Sequence, residues 1–436
     1  MKFRSYFLLS IVVGAAFACS SDDEIPEVQA FTPDATLSLT AGAGEKTTKA
    51  NVVYDTSADA TIYRLQMLVF SGQADDATYQ TGKDSTLTVT DATSAKIEDL
   101  PVQSGNISLL VLANYPKINA TSNTKLSDVL AMKTELEKEG ISDGYQGFAM
   151  SSQVYKFTIA AGKHNIVGAE NDFTSHLPQN KLNNGAPVKL IRNVAKVNLV
   201  KLTLKTKNAD GSNYILPDGS KPVKFELDSI FVANVKSMSN VASSGEWGAV
   251  EAEMTGNAKW LFGAFNGENY NDTLSQVSGD QKNMLLYNVV DSIKNGKWTY
   301  DRTLTVQKQT ISALTGLGKS FLVYENMNRS SVNEVPLGEQ TILVVCGRYT
   351  RQFGDDAQVT EHGFYAVPIN NKDFGAKTPE GVVDHEFVKR NVKYNISLTI
   401  ASTGSSTPYG WDVYAHAAAK VEVMPWNVIN IIEDVD

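Results

Sequence analysis

The closest match to a catalytic motif is a stretch that resembles a phosphate-binding loop, Ala313-Leu-Thr-Gly316-Leu-Gly318-Lys319-Ser320. That motif begins with glycine and opens a helix whose N-terminal amides hold the phosphates. Here alanine occupies the first position, and the apolar run Phe321-Leu-Val-Tyr324 that follows predicts a strand. We therefore interpret the segment as a glycine turn without phosphate chemistry.

Two histidines have acidic neighbours, in Glu361-His362 and in Asp384-His385-Glu386. Adjacent residues of a strand point to opposite faces, and neither group has the i, i+4 spacing that a helical metal site needs. We interpret both as surface histidines. The isolated histidines His164, His176 and His416 complete the set. With no Gly-x-Ser-x-Gly elbow and no catalytic Cys/His pattern, the sequence predicts no catalytic residue, no metal ligand and no cofactor, and hence no enzyme.

The amino-acid composition excludes several further classes of protein. The 436 residues suggest two or three domains, and 42% hydrophobic with 20% charged residues is typical of a globular protein. The balance of 39 basic against 48 acidic residues gives a net charge of -9, which argues against a nucleic-acid partner. Two cysteines and five histidines supply neither a disulfide framework nor a structural zinc site.

The N-terminus predicts export. Lys2 and Arg4 precede an apolar run, residues 6–18, that is too short to span a bilayer and ends at Cys19. We interpret residues 1–18 as a lipoprotein signal peptide and Cys19 as the acylated first residue of the exported chain. The alternative is ordinary cleavage after residue 18 with an unmodified cysteine.

Beyond residue 36 the dominant pattern is the period of two that is typical of strands. Thr61–Phe70 and Ile107–Asn114 are examples, and one helix is predicted from an N-cap at Ser127 to Gly140. A second block of strands begins near Val188. Its strand-like runs are Leu190–Val200, Val223–Val235, Asn283–Val290, Lys319–Tyr324, Gln340–Gly347 and Lys393–Ile400.

These patterns predict a mainly all-β protein with two antiparallel β-sandwich domains in series and a few short helices. Cys346 lies in the apolar run Thr341–Gly347 and is predicted to be buried in a strand. The predicted parts are a signal peptide at 1–18, a propeptide with the first strand at 19–49, an N-terminal sandwich at 50–187, a C-terminal sandwich at 188–416 and a terminal segment at 417–436.

A short predicted strand near the N-terminus is followed by a candidate protease cleavage site. The strand Ala35–Ala41 alternates, and residues 42–50 form a flexible basic turn that a trypsin-like protease could cut. The lysines of this turn are Lys46 and Lys49.

The last twenty residues are as apolar as a core strand and alternate on both sides of Pro425, which divides two strands because it cannot donate a ladder hydrogen bond. One interpretation is a strand that closes the chain's own sheet. The other is a strand donated to another molecule. The donated strand would insert its apolar side chains into a groove of the other molecule. These side chains are Val421, Val423, Trp426, Val428, Ile429, Ile431 and Ile432.

Loss of the first strand would leave an open groove. Leu37 and Leu39 together represent roughly 3 to 6 kcal/mol of apolar burial, and an unpaired sheet edge is a template for another strand. A chain with both an acceptor groove and a donor tail would associate head to tail into an open filament.

The sequence resembles the Bacteroidales FimA-like fimbrillins, or type V pilins, along nearly its whole length. Each motif is weak alone, but their shared order is specific. The segments that carry the resemblance are the leader ending at Cys19, Ile62–Phe70, Leu126–Leu136, Gly147–Ser152, Ile191–Val197, Lys389–Ile396 and Val421–Val428.

The resemblance implies transthyretin-like sandwich domains and a structural subunit of a surface fimbria that serves adhesion or biofilm formation. It implies a lipid-anchored precursor in the outer membrane and removal of the prepeptide by a trypsin-like protease, with the matching cut between Lys49 and Ala50 or, as the second choice, after Lys46. It also implies insertion of the C-terminal strand of another copy or a related subunit. Host or bacterial surface receptors are further partners of such fimbriae.

A second interpretation is a monomeric glycan-binding surface lipoprotein of the outer membrane that keeps its first strand. Exposed aromatic side chains would then line a sugar site. The candidates are Trp247, Trp260, Trp298 and Trp411.

Overall fold

The structure is a computed structural model of the chain. It describes residues 31–43, 46–47, 52–53, 58–87, 93–140, 145, 147–242, 260–262, 286–288, 310–311, 313–315, 320–327, 340–355, 357–371, 376–377, 387–405 and 417–425.

Strands make up most of the described chain. Those of the first part are β1 Ala35–Ala43, β2 Lys46–Thr47, β3 Val52–Val53, β4 Arg64–Ser71, β5 Thr78–Thr86, β6 Ser94–Val102, β7 Gly105–Ala113, β8 Lys133–Glu135, β9 Met150–Ser151, β10 Tyr155–Ile159, β11 His164–Val167, β12 Gln179–Leu182 and β13 Val188–Arg192. The helical elements are α1 Leu126–Leu130 and 3-10 turns at Ala58–Ala60, Leu136–Lys138, Glu170–Asp172 and Asn183–Gly185.

The second part of the chain continues with longer strands. They are β14 Val194–Leu204, β15 Lys221–Ala233, β16 Val235–Lys236, β17 Met238–Asn240, β18 Trp260–Phe262, β19 Leu286–Asn288, β20 Thr310–Ile311, β21 Ala313–Thr315, β22 Ser320–Tyr324, β23 Ile342–Phe353, β24 Ala357–Pro368, β25 Ala376–Lys377, β26 Val392–Ile400 and β27 Ala417–Pro425.

The first sandwich is one described sheet that closes over its own inner face. Its strand order is β12-β11-β1-β13-β9-β7-β4-β5, with β6 paired to β1 and β10 paired to β7. Leu37 and Leu39 of β1 pack in the same core as Leu65 and Met67 of β4, so the two halves of the sheet face each other.

The second sandwich has two sheets. One has the order β21-β14-β26-β27-β25 with β22 beside β14, and the other has the order β19-β15-β23-β24 with β20 beside β15. Strand β26 shows why the sequence folds in this way. Every second residue from Val392 to Ile400 is buried. The residues between them, such as Lys393 and Asn395, are half-buried, as a period of two requires.

The all-β class and the sandwich architecture are confirmed. The sheets are nevertheless mixed, because β1 runs parallel to β11 and β13, and β14 runs parallel to β26. Alternating hydrophobicity specifies which face of a strand is buried, but it does not identify the neighbour or its direction. The predicted strand after Ser320 is present as β22.

The change from one sandwich to the other occurs at Asn193. Strand β13 pairs with β1 and β9 of the first sheet, whereas β14 belongs to the second sandwich. The sheet boundary therefore lies a few residues after the predicted division at residue 188.

The prediction of a single helix from Ser127 to Gly140 was wrong. Helix α1 ends at Leu130, and its N-cap is Lys125, whose backbone amide donates a hydrogen bond of 3.0 Å to the Asp128 carboxylate. Residues of β8 instead pair with β17. This long-range strand pairing overrides the local helix pattern.

Among the described residues, no helix combines the length and the apolar character needed to cross a membrane.

Candidate functional site

Strand β1 is the central element of the candidate site. It is paired on both sides, antiparallel to β6 and parallel to β11 and then β13. On its inner face the side chains of Leu37, Leu39, Ala41 and Ala43 are fully buried. The predicted pair Leu37 and Leu39 thus lies inside the first core, where its burial contributes directly to stability.

The other face of β1 is polar and also buried. The Ser38 hydroxyl lies 2.7 Å from His164 Nε2 on β11, and it accepts a hydrogen bond of 2.9 Å from the Asp99 amide. The Thr40 hydroxyl donates a hydrogen bond of 3.1 Å to the Asp172 carboxylate. The hydroxyls of Ser38 and Thr40 therefore each have a specific partner outside β1.

A β-bulge lies in β6 opposite Ser38. Leu37 faces Leu100 and Leu39 faces Ile97, so two residues of β6 oppose one residue of β1. Asp99, one of the two, has a positive φ of 52°. Because the extra residue is on β6, the irregularity is a property of the strand that would remain after β1 leaves.

The chain enters β1 through Asp34, which is tied to the loop after β6. Its carboxylate accepts hydrogen bonds of 2.6 Å from both the amide and the hydroxyl of Ser104. The Ser104 side-chain hydrogen bond, followed by the one from its backbone, holds the pKa of Asp34 below its usual value.

The predicted cleavage sites differ in their surroundings. Lys46 lies in β2 and pairs with Val53 of β3. Lys49 and Ala50 lie outside the described residues, as does Cys19.

The predicted donor segment is divided at Pro425. Before it, β27 pairs antiparallel with β26 over its full length, and Val421 is fully buried in the second core. Val423 pairs with Tyr394 across the same ladder. The other predicted donor residues, Trp426, Val428, Ile429, Ile431 and Ile432, lie outside the described residues.

Two buried arginines join the sandwiches through a reciprocal exchange. The Arg192 guanidinium donates a hydrogen bond of 3.1 Å to the Asn391 side chain, and the Arg390 guanidinium donates one of 3.0 Å to the Asn193 side chain. Arg390 also forms a buried ion pair with Glu325. Each sandwich is therefore connected to the other by charged groups that water does not reach.

A buried carboxyl group lies near this junction. Glu139 accepts a hydrogen bond of 2.7 Å from the Ala149 amide, and its other oxygen lies 2.8 Å from the Tyr324 hydroxyl. Burial raises the pKa of Glu139 to about 8, because removal from water disfavours the charged form.

The sequence contains a repeated motif at the junction. The tripeptide Arg-Asn-Val occurs at residues 192–194 and again at 390–392, each time at the entry to a strand. The repeated Arg-Asn dipeptide precedes β14 and β26, which pair in parallel. This placement is consistent with contacts between the two copies of the dipeptide.

The candidate glycan site has little support among the described residues. Of the four tryptophans, Trp260 lies in β18, which pairs with β16, and the other three are outside the described chain. An open cavity of about 440 Å³ beside β1 is lined by Thr36, Asp99 and residues 174–177, and none of these is tryptophan, tyrosine or phenylalanine.

Comparison with known proteins finds fimbrial subunits among the proteins similar to this chain. Residues 35–192 match the family described as major fimbrial subunit protein (FimA), a range that begins at β1 and ends with β13. The major fimbrium subunit FimA type-5 of Porphyromonas gingivalis is 25% identical over 442 aligned residues, which cover 99% of this chain and 98% of that protein. The resemblance to the FimA-like fimbrillins is confirmed. Fimbrillins are structural subunits and do not form an enzyme family.

Solved structures support the fimbrillin fold. A candidate cell adhesion protein from Parabacteroides distasonis ATCC 8503 matches with a TM-score of 0.62 at 24% identity, covering 91% of this chain and 99% of that one. A fimbrilin (FimA) from Porphyromonas gingivalis W83 matches with a TM-score of 0.56 at 20% identity, covering 92% and 99%. Both similarities concern the fold.

Proposed function

We propose that this protein is a subunit of a surface fimbria that is exported as a lipoprotein acylated at Cys19, cut after Lys49, and polymerised by strand exchange. The fimbria would serve adhesion or biofilm formation. The observation that supports this most directly is the position of β1, which is paired on both sides and buried on both faces. In the sequence it is followed by Lys46 and Lys49.

Removal of β1 would expose an apolar slot with two unpaired edges. The two leucines alone account for roughly 3 to 6 kcal/mol of burial. The backbone groups along both edges of the slot would lose their ladder hydrogen bonds, and another strand could restore them. Such a slot favours the entry of another strand with alternating apolar residues.

The donor would come from the end of another copy. Because β27 is anchored to β26, the residues beyond Pro425 are the part best placed to leave their own subunit. Each chain then has one slot and one donor segment, and this heterologous arrangement builds an open filament.

The pairing of β2 with β3 supports cleavage after Lys49. A protease binds an extended, accessible segment, and the backbone of Lys46 is already engaged in a strand ladder. The second choice, cleavage after Lys46, would require this pairing to open first.

Limited trypsin digestion of the purified precursor tests the proposal. We expect a nick between Lys49 and Ala50, followed by ladders of oligomers on unheated gels. The variant Lys49→Gln should resist the nick and remain monomeric, whereas the matched variant Lys46→Gln should behave like the wild type.

A precursor that is cut after Lys49 and stays monomeric at high concentration would contradict strand exchange. That outcome would favour the alternative of a monomeric surface lipoprotein. Ladders formed by uncut Lys49→Gln protein would contradict the need for proteolysis.

A further inference from the structure

Three side chains that can bind metals converge in the second sandwich, on strands other than β27. Asp228 lies on β15, Cys346 on β23 and His362 on β24, and these three strands are consecutive in one sheet. Cys346 Sγ lies 2.9 Å from His362 Nε2, which lies 3.7 Å from Asp228 Oδ2. The prediction of a surface histidine at 362 was wrong, since only 15% of its side chain is exposed.

A second β-bulge brings the carboxylate into this group. Leu227 faces Gly347 and Ser229 faces Cys346, so Asp228 is an extra residue of β15 without its own opposite position. Bulges re-aim side chains in this way and often occur at functional positions. The sequence pattern of Glu361-His362 could not reveal the cluster, because its other members are distant along the chain.

The distances between the ligand atoms suit a metal ion with tetrahedral coordination. Zinc bonds of about 2.0 to 2.3 Å place ligand atoms roughly 3.3 to 3.8 Å apart. The carboxylate and imidazole atoms already have that separation, and the thiol needs to move away from the imidazole by less than about 1 Å. Sulfur, nitrogen and oxygen from these three residue types form a common zinc ligand set.

The neighbours of the cluster hold two of the ligands in position. The Arg348 guanidinium donates a hydrogen bond of 2.8 Å to Asp228 Oδ1, so the other oxygen is the one directed towards His362. The ring of Phe364 meets the His362 ring edge-on, with 5.0 Å between the centroids. Outer contacts of this kind orient the ligands of metal sites.

Charge and access are also compatible with a divalent cation. Cys346 is fully buried and Asp228 is 6% exposed, while the partly exposed His362 leaves a route from solvent. Binding would displace the thiol proton, so that a thiolate and a carboxylate face the ion. The positive charge of Arg348 offsets one of these two negative charges. The remaining charge favours binding of a single ion.

We propose that Asp228, Cys346 and His362 form a binding site for a single zinc-type divalent cation. The ion joins β15, β23 and β24 and stabilises the second sandwich, since a ligand that binds only the folded state shifts the folding equilibrium towards it. It also shields the thiol of an exported protein from oxidation.

Titration of the purified full chain with Co²⁺ tests the site. We expect saturable binding with a thiolate-to-cobalt charge-transfer band, and loss of that band when Zn²⁺ displaces the cobalt. His362→Gln should raise the dissociation constant by more than about 100-fold, because even outer contacts of metal sites account for roughly 10- to 100-fold. The matched control His176→Gln changes an exposed histidine and should leave binding unchanged.

Absence of the charge-transfer band would overturn the proposal, as would wild-type affinity in His362→Gln. The partly exposed His362 was chosen because Cys346→Ser could unfold the core. A thermal-unfolding midpoint that rises with Zn²⁺ in the wild type and in His176→Gln, but not in His362→Gln, is the expected second result. These readouts do not depend on polymerisation.

Discussion

Strands β1 and β27 lie near opposite ends of the chain, and each belongs to the core of a different sandwich. Strand β1 has long ladders on both sides. Strand β27 has one full ladder with β26, and its described contact on the other side is the two-residue strand β25. The first strand is thus enclosed by its sheet, whereas the second lies near a sheet edge.

This difference indicates a division of roles. Loss of an enclosed strand leaves a slot with two edges, which is costly to leave empty. A strand close to an edge can anchor whatever follows it without leaving a comparable gap. The four predictions below test this contrast.

Deleting residues 426–436 should have the largest effect, complete loss of ladder formation by trypsin-treated subunits. Strand β27 ends at Pro425 and stays intact, so the urea midpoint of the precursor should match that of the wild type. Mixed with wild-type subunits on unheated gels, the deleted protein should still accept one donor. Continued growth of ladders from the deleted protein alone would place the donor elsewhere.

Leu39→Ala should destabilise the precursor by about 2 to 5 kcal/mol, the usual cost of truncating a buried leucine. The polymer should be unaffected, since β1 is no longer part of the cut subunit. Urea unfolding of the precursor and thermal dissociation of the polymer measure the two effects. Equal losses in both would show that β1 remains in the polymer.

Glu139 should make the free energy of unfolding of the precursor depend on pH. Its folded pKa of about 8 exceeds the ordinary glutamate pKa of 4.5, so the stability it contributes is complete below pH 4.5 and is lost as the pH rises through about 8. We expect a decrease on the order of 3 kcal/mol between pH 5 and pH 8. Urea unfolding at both pH values is the measurement.

Glu139→Gln is the matched variant, because glutamine reproduces the neutral carboxyl. It should remove most of that pH dependence while retaining the partners Ala149 and Tyr324. If the variant keeps the wild-type slope, another group is responsible.

Val421→Ala should have the smallest effect, about 2 kcal/mol for the loss of buried methyl groups. In contrast to Leu39→Ala, it should lower the stability of the precursor and the cut subunit alike, because β27 remains in its own sheet. Urea unfolding of both forms checks this. An effect confined to one form would argue that β27 changes its partner on maturation.

The sequence allowed the strands and their buried faces to be predicted well. The alternation of Val392–Ile400 is reproduced residue by residue in β26, and Cys346 is buried as expected. Both rest on local periodicity, which one strand is enough to reveal.

Long-range features could not be predicted in the same way. The exchange between Arg192 and Asn391 joins residues 199 positions apart, and the cluster at His362 depends on a bulge at Asp228. The expected helix failed because β17, about one hundred residues later, pairs with β8. Each of these depends on which segments meet, and hydrophobic pattern carries no information about that.

The bulge at Asp99 has a consequence for any molecule that enters the slot. Because the additional residue belongs to β6, the resident body keeps one place where the spacing of its hydrogen-bonding groups is interrupted. An incoming segment meets this interruption at a fixed distance from each end of the slot. Such a segment would satisfy the backbone groups on both sides in only one alignment, so the bulge would set the register of the inserted strand.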